Sequence, residues 1–476
     1  MRKFVPLFLT ITAFIGLILS SCISDAVSTS SSDRLAFSRD TVSFDTVFTD
    51  LGTPTARLLV FNNNKKNIEI SSIRLRNESS FFSINVDGQS GKVFNDVEIR
   101  GNDSIYLFIE CFIPPTASRE PALVEDEIEF ITNGNVQTVR LEAYGQNVTR
   151  LRAVRIERDT TFTPDLPIVV FDSLVVEKGA RLSILPDTRL LFHDGAQMIV
   201  HGEIEAVGEP GKMIQMRGDR LDNVLPGVGY DIMAGQWGGI RISASSFDNR
   251  LEYVDMRSTV FGLQLDSCAN IDTRKLTILN SWLHNSQGNV LSSAYSKVTA
   301  MGVCFSEAAD AVVSLKGGEY DFTQCTFANN YLFSAISNPI ISLYHLLPEE
   351  AGANSLPLMN ANIENSIIYG LAKDLNVTDL SGTMVFLRDT SLKAAGEDDP
   401  NFINCLWDTD PLFLTDRAAY YFNYHVKPDS PVIGKGNSAY VPQAAIIDMD
   451  GVDRLSGGAP TLGAYARPGV LNEKDL

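Results

Sequence analysis

Two periods of apolar residues divide the chain. From about residue 34 to residue 149, apolar and polar positions alternate in short runs bounded by turn residues. Val42 and Phe44, Leu58 and Val60, Ile68 and Ile70, Phe82 and Ile84, Leu107 and Ile109, Ile128 and Phe130, and Val139 and Leu141 each stand two apart. A period of two with no helical stretch predicts an antiparallel β-sandwich. Pro114-Pro115 belongs at a strand edge, since proline removes a ladder donor.

Beyond residue 150 the runs shorten and become regular. In "LVVEKGARLSILPDTRLLF", residues 174–192, three apolar pieces are separated by Gly-Ala and Pro-Asp. Alternating pairs continue at Met198 and Val200, Ile204 and Ala206, and Ile214 and Met216. Their starts step by about eight residues, so three strands make a turn of about 24. Gly179, Pro186-Asp187, Gly195, Gly202 and Gly208 supply the corners. This pattern predicts a parallel β-helix over residues 150–466, which makes the whole chain all-β.

Later coils carry a second repeat: apolar, any residue, Asn or Gln, Cys or Ser, any residue, apolar. It places Asn280-Ser281, Gln324-Cys325, Asn365-Ser366 and Asn404-Cys405 at matching positions, with Cys304 in a weaker copy. The two apolar ends differ in parity, so both face inward only if the chain bends between them. The bend predicts a structural ladder of amides bonding along the axis and a column of small residues in which Cys304 and Cys325 are neighbours. Two irregular stretches, near 331–360 and 371–399, are expected as loop inserts, and 467–476 as a tail.

The N-terminus sets the expected compartment. Arg2 and Lys3 precede an apolar run from Phe4 to Leu19, too short for an ordinary span, which ends in Leu19-Ser20-Ser21-Cys22. This resembles a bacterial lipobox. The resemblance implies a signal peptide over 1–21, an acylated Cys22, a Ser/Thr-rich tether over 22–33, and a membrane as partner through the lipid. An outer-membrane lipoprotein of the cell envelope is expected, with the periplasmic and surface faces both open. The net charge of −19 argues against nucleic acid and against anionic lipid as partners. Acylation of Cys22 leaves Cys111, Cys268, Cys304, Cys325 and Cys405, an odd set without CxxC spacing that reads as buried free thiols.

The stretches "VSFDTVF", "LLVFNNNKKNIEISSIRL", "GNDSIYLFIECFIP" and "VRLEAYGQNV" resemble immunoglobulin-like domains of the ASH type. Such a resemblance implies a spacer or binding module without chemistry. "LVVEKGARLSILPDTRLLFHDGAQMIVHGEIEAVG", "GQWGGIRI", the Asn/Cys repeats and the closing "DMDGVDRLSGGAPTLGAYA" resemble right-handed parallel β-helices of the pectate-lyase-like superfamily. That likeness covers about two-thirds of the chain. It implies a fold, and the fold hosts both polysaccharide enzymes and non-catalytic proteins.

The motifs of polygalacturonase-like members are absent: there is no Asn-Thr-Asp, Gly-His-Gly or Arg-Ile-Lys, and Asp398-Asp399 sits in a loop sequence. Lyase-like chemistry would need carboxylates with an Arg or Lys, for which Asp255, Arg257 and Asp266, or Arg388 and Asp389, are the candidates. Asp448, Asp450 and Asp453 lack EF-hand spacing and read as a turn in which Arg454 pairs locally and closes the end of the solenoid. No cofactor is expected, and calcium is the one ion the acidic candidates would suit. His193, His201, His284, His345 and His425 are scattered. Asp-Ser/Thr steps at Thr41, Thr46, Ser104, Thr160 and Ser173 resemble O-glycosylation acceptors of Bacteroidetes-like bacteria. The expected function is a non-catalytic binding or structural surface for adhesion, glycan capture or envelope assembly, with a polysaccharide or an envelope protein as partner. The alternative is a polysaccharide lyase or glycoside hydrolase.

Overall fold

The computed structural model describes residues 26–225, 227–269, 271–346 and 358–469. Cys22 and the signal sequence, the middle of the first expected insert, and most of the tail lie outside these residues. The described residues form two compact units, which divide between Asn147 and Val148.

The first unit is a sandwich of two five-stranded sheets. In order across the sheet, one contains Ala36–Phe37, Ala56–Asn62, Asp103–Cys111, Phe82–Val86 and Gln89–Gly91. The other contains Thr41–Phe48, Asn135–Gln146, Ala122–Thr132, Ile68–Leu75 and Val93–Ile99. Every pairing is antiparallel except that of Thr41–Phe48 with Asn135–Gln146. The inward residues of both sheets, among them Val42, Leu58, Ile70, Leu107, Phe130 and Leu141, form one buried core. Each such side chain contributes about 1.5–3 kcal/mol on leaving water. The expected tether ends earlier than its composition suggests. Val27 bridges to Asn67, Ser28 is buried, and Asn135 donates to the Ser31 carbonyl, so residues 27–33 are held by backbone bonds that polar residues make as well as apolar ones.

In the second unit, parallel strands coil through three faces, here called A, B and C. Face A contains Arg189–Phe192, Ile214–Gly218, Val254–Thr259, Trp282–Ser286, Cys304–Ala308, Thr326–Asn329, Ile367–Gly370 and Ser391–Leu392. Face B contains Gln197–Val200, Ile240–Ile242, Leu263–Leu265, Leu291–Ala294, Val313–Lys316 and Ile341–Tyr344. Face C runs from Thr160–Phe162 to Phe402–Ile403 and forms a sheet of ten strands. The long strand Ile168–Val176 belongs to A and then to B, bending at Asp172, whose φ is 64°. Chain order is A, B, C as far as Met359–Glu364, after which face B continues as the bridge of Leu375 to Ile341 in place of a strand, and strands pair in parallel with their counterparts one coil later. Trp282, Cys304 and Thr326 lie side by side, a step of 22 residues.

The coil closes because alternate residues on each face point inward in columns that are mostly apolar. On face B one column is Ile240, Leu263, Leu291, Val313 and Ile341. On face C it is Leu251, Ile278, Ala300, Phe322, Ile363 and Leu387. All belong to one buried cluster running the length of the unit.

Asn280, Gln324, Asn365 and Asn404 stand at the corner between faces C and A with φ of 41–54°, a left-handed conformation that Asn tolerates better than most residues. The next residue points inward. Ser281 accepts from Val254 N–H at 3.0 Å and Ser366 accepts from Cys325 N–H at 3.1 Å, so hydroxyls link successive coils.

Four expectations need correction. The corner amides do not form a continuous amide-to-amide ladder. Gly302 holds the corner between Asn280 and Gln324, where a Cβ would come within 2.3 Å of the Asn280 Oδ1. The amides turn instead to a C-terminal segment: Asn280 donates to the Ile447 carbonyl at 2.9 Å, and Asn365 donates to the Asn437 carbonyl at 2.9 Å and accepts its N–H at 2.7 Å. Cys304 is not a neighbour of Cys325 in one column. It lies two residues past the corner at Gly302, in register with Thr326, and packs outside face A, whereas Cys325, one residue past its corner, lies in the inner core. The supposed inserts contain regular coils, since Ile341–Tyr344, Met359–Glu364, Met384–Arg388 and Ser391–Leu392 are paired strands. Finally, the coil ends near Leu406, and the following residues up to about 466 make no further coil. They run along its side, and Arg454 donates to the carbonyls of Ala445, Gly463 and Ala464 instead of pairing with a carboxylate.

Candidate functional site

The outer surface of face A is where the C-terminal segment lies. Phe413, Tyr424, Val426, Val432, Leu462, Ala464 and Tyr465 bury Cys304, Ala328 and Ile367 from the outside. Towards the corner occupied by Asn285 and Glu307 this cover stops. A recess of about 230 Å³ remains, floored by Arg257, Trp282, His284, Asn285 and Glu307 and walled by Asp231, Tyr331, Phe333, Tyr420 and Phe422.

Strand alternation fixes the floor. Asp255 pairs in register with Trp282, and Arg257 with His284, so two outward residues from each of two neighbouring coils form a square. Asp255 receives the Arg257 guanidinium at 2.8 Å and His284 Nε2 at 3.1 Å. His284 stacks on Trp282 with centroids 4.0 Å apart, and the indole N–H donates to Ser306 on the next coil.

Asp231 comes from elsewhere. Residues 219–225 and 227–235 lie off the coil, form a short ladder of Asn223–Leu225 with Val228–Gly229, and return through a one-turn 3₁₀ helix, Tyr230–Ile232. Corner residues hold this helix by its carbonyls: Ser258 donates to Asp231 O at 2.7 Å, and Asn285 donates to Asp231 O and Ile232 O, both at 2.8 Å. The Asp231 carboxylate is thereby set between Arg217 at 3.3 Å and Arg257 at 3.2 Å.

Burial dominates the electrostatics. It pushes the His284 pKa down, against the pull of the Asp255 carboxylate, so the imidazole is neutral at neutral pH. For Asp255, burial acts upward, but Arg257, the His284 hydrogen bond and Arg217 outweigh it and hold the carboxyl below its usual range. Glu307, almost fully buried on the same corner as Asn285, is pushed up to about 7 by burial, against hydrogen bonds from Ser306 and from the Tyr424 hydroxyl. The recess therefore offers aromatic faces with fixed donors and acceptors. The charges of Arg217 and Arg257 are matched by those of Asp231 and Asp255.

Of the lyase-like candidates, Asp255 and Arg257 come together here, and Asp266 does not: it pairs with Arg241 on face B. Arg388 binds Glu364 and Asn362 at one end of face C, and Asp389 is a buried corner residue. Asp398 caps the backbone of Asn404 and Cys405 and receives the Trp407 indole N–H, while Asp399 caps Asn401 and Phe402. Asp448 accepts N–H groups of Asp450, Val452 and Ala466, and Asp450 pairs with His425. No group of three metal-ligating side chains occurs among the described residues. His193 binds Asp219, away from His201. Thr41, Thr46, Ser104, Thr160 and Ser173 are all half-buried on strands. The five described cysteines are free.

Sequence reasoning missed Arg217, Asp231, Glu307 and the recess itself. Asp231 and the walls reach the site from segments without strand periodicity. The usable signal was the pair of equal offsets, Asp255/Arg257 and Trp282/His284, on consecutive coils.

No family model matches the sequence, and neither does any curated protein. Among solved structures, a protein of unknown function from Porphyromonas gingivalis W83 is similar at 12% identity, with 26% of this chain and 59% of that one covered and a TM-score of 0.18. A family 123 glycoside hydrolase from Clostridium perfringens is similar at 12% identity over 24% of this chain and 26% of that one, with a TM-score of 0.17. The PapD-like domain 7 of human CEP192 is similar at 14% identity over 24% of this chain and 84% of that one, with a TM-score of 0.16. At these scores none of the three bears on function.

Proposed function

We propose that this chain is an envelope lipoprotein, anchored through Cys22, that captures the end of a glycan in the face A recess without cleaving it. In this reading the first unit is an immunoglobulin-like domain. The solenoid is a right-handed β-helix of the pectate-lyase-like kind. The lipobox-like Leu19-Ser20-Ser21-Cys22 supports the anchor.

The observation that carries the binding reading is the C-terminal segment packed over face A. It occupies the surface along which an extended polymer would lie and leaves a short, aromatic-walled recess. Stacking on aromatic faces suits a sugar ring, and the matched charges suit a neutral one. Two of the carboxylates around the recess are already engaged: Asp255, beside the floor, is bound by Arg257 and His284, and Asp231, in the wall, by two arginines.

One observation favours hydrolysis as the second reading. Glu307, with its pKa at about 7 and its place on the recess floor, has the character of a general acid. A soluble version beginning at Ile23, screened against neutral and acidic polysaccharides with and without calcium, separates the two. Retention of a neutral glycan without new reducing or unsaturated ends supports capture, and release of such ends overturns it. Retention only of acidic glycans would contradict the neutral-ring assignment.

A further inference from the structure

We infer that Cys268 and Lys275 form an oxidation-dependent covalent bridge, Lys–N–O–S–Cys, that staples one corner of the solenoid. The two residues flank a chain excursion between the face B strand Leu263–Leu265 and the face C strand Leu276–Leu279. Lys275 is fully buried, and its Nζ has three acceptors: Ser243 O at 2.6 Å, Ser246 O at 3.2 Å and the Cys268 Sγ at 3.4 Å. The Phe247 ring lies 5.2 Å from the same nitrogen. Ser296 Oγ stands 3.6 Å from the sulfur on its other side.

Nothing in the binding reading uses this pair, and a buried lysine without a carboxylate is costly to keep. Its amine already touches the sulfur, so one inserted oxygen atom draws the two ends together with no backbone movement. Burial lowers the Lys275 pKa, which favours the neutral amine that the bond requires. Cys268 remains 6% exposed, enough for a small oxidant to reach it.

The oxidant is molecular oxygen. Once the ammonium has lost its proton, one N–H and the S–H bond break, and N–O and O–S bonds form. The sulfur and the nitrogen each give up two electrons. One oxygen atom becomes the bridge, and the other leaves as water with the two hydrogens.

Peptide mapping of the full-length protein, extracted in detergent under air without reductant, tests the assignment. Trypsin would then release residues 258–274 joined to residues 275–297, with a mass gain of about 14 Da over the two separate peptides, one oxygen in and two hydrogens out. Dithiothreitol should return both peptides to their unmodified masses. Cys268→Ser and, independently, Lys275→Met should each abolish the joined species. The assignment is overturned if Cys268 alkylates completely in the air-exposed, unreduced, denatured protein. It is equally overturned if Cys268 appears as sulfinic or sulfonic acid while Lys275 stays free.

Discussion

At the scale of single residues, burial sets the chemistry of the recess. Glu307 keeps its proton up to about pH 7 in the folded protein, against 4.5 for an ordinary glutamate. Between those two values the folded state holds one more proton than the unfolded chain, so stability falls as pH rises through that window and levels off above it. Glu307→Gln removes the titration. Urea midpoints measured from pH 4.5 to 8 should decline for the wild type relative to the variant. A constant difference across the range would contradict the burial argument. A second residue-scale outcome concerns Asn365, which combines a φ of 49° with two bonds to Asn437. Asn365→Ala should cost about 2–4 kcal/mol in chemical denaturation, and Asn365→Gly, which relieves the backbone, about half as much. The corner itself was legible in the sequence, because only a bend reconciles the parity of Ile278 with Leu283 or Ile363 with Ile368. The amides' true partners were not. Asn437 and Ile447 are 72 and 167 residues away in sequence, beyond any local pattern.

At the scale of elements, apolar period revealed strands and concealed what covers them. Ile341–Tyr344 and Met384–Arg388 are short, and the sequence around them lacks the regular step of the earlier coils, so apolar pattern alone predicts loop there. Their inward residues nonetheless continue the columns on faces B and C. The C-terminal segment has no strand period, yet it buries as well as a strand does, because Arg454 gathers the carbonyls of Ala445, Gly463 and Ala464 around one guanidinium. Truncating that side chain leaves buried carbonyls without donors. Arg454→Ala should destabilise the protein by about 3–5 kcal/mol and expose the segment. Limited proteolysis should then cut within residues 411–466 before it cuts the coil. Cleavage of both at the same rate would show that the segment is not a separable strap.

At the scale of the whole molecule, the sequence carried the all-β class and the change of period between the two units, because each unit closes its own core from its own alternating residues. A version starting at Val148 should therefore keep its far-UV β-sheet signal and a cooperative thermal transition. Loss of both would contradict independent closure. What composition could not supply is a site assembled from separated segments: the excursion around Asp231, the two coils bearing Arg257 and His284, the corner at Glu307, and the aromatic walls around Tyr331 and around Tyr420. The most direct test of glycan capture places that site under one substitution. Wild type and Trp282→Ala, both beginning at Ile23, would be equilibrated with the glycan retained in the screen, and bound and released sugar measured over hours. Glycan capture predicts unchanged sugar on the wild type and at least about tenfold weaker retention by Trp282→Ala. New chain ends that accumulate with the wild type and vanish in Glu307→Gln would contradict it and make the recess a catalytic one.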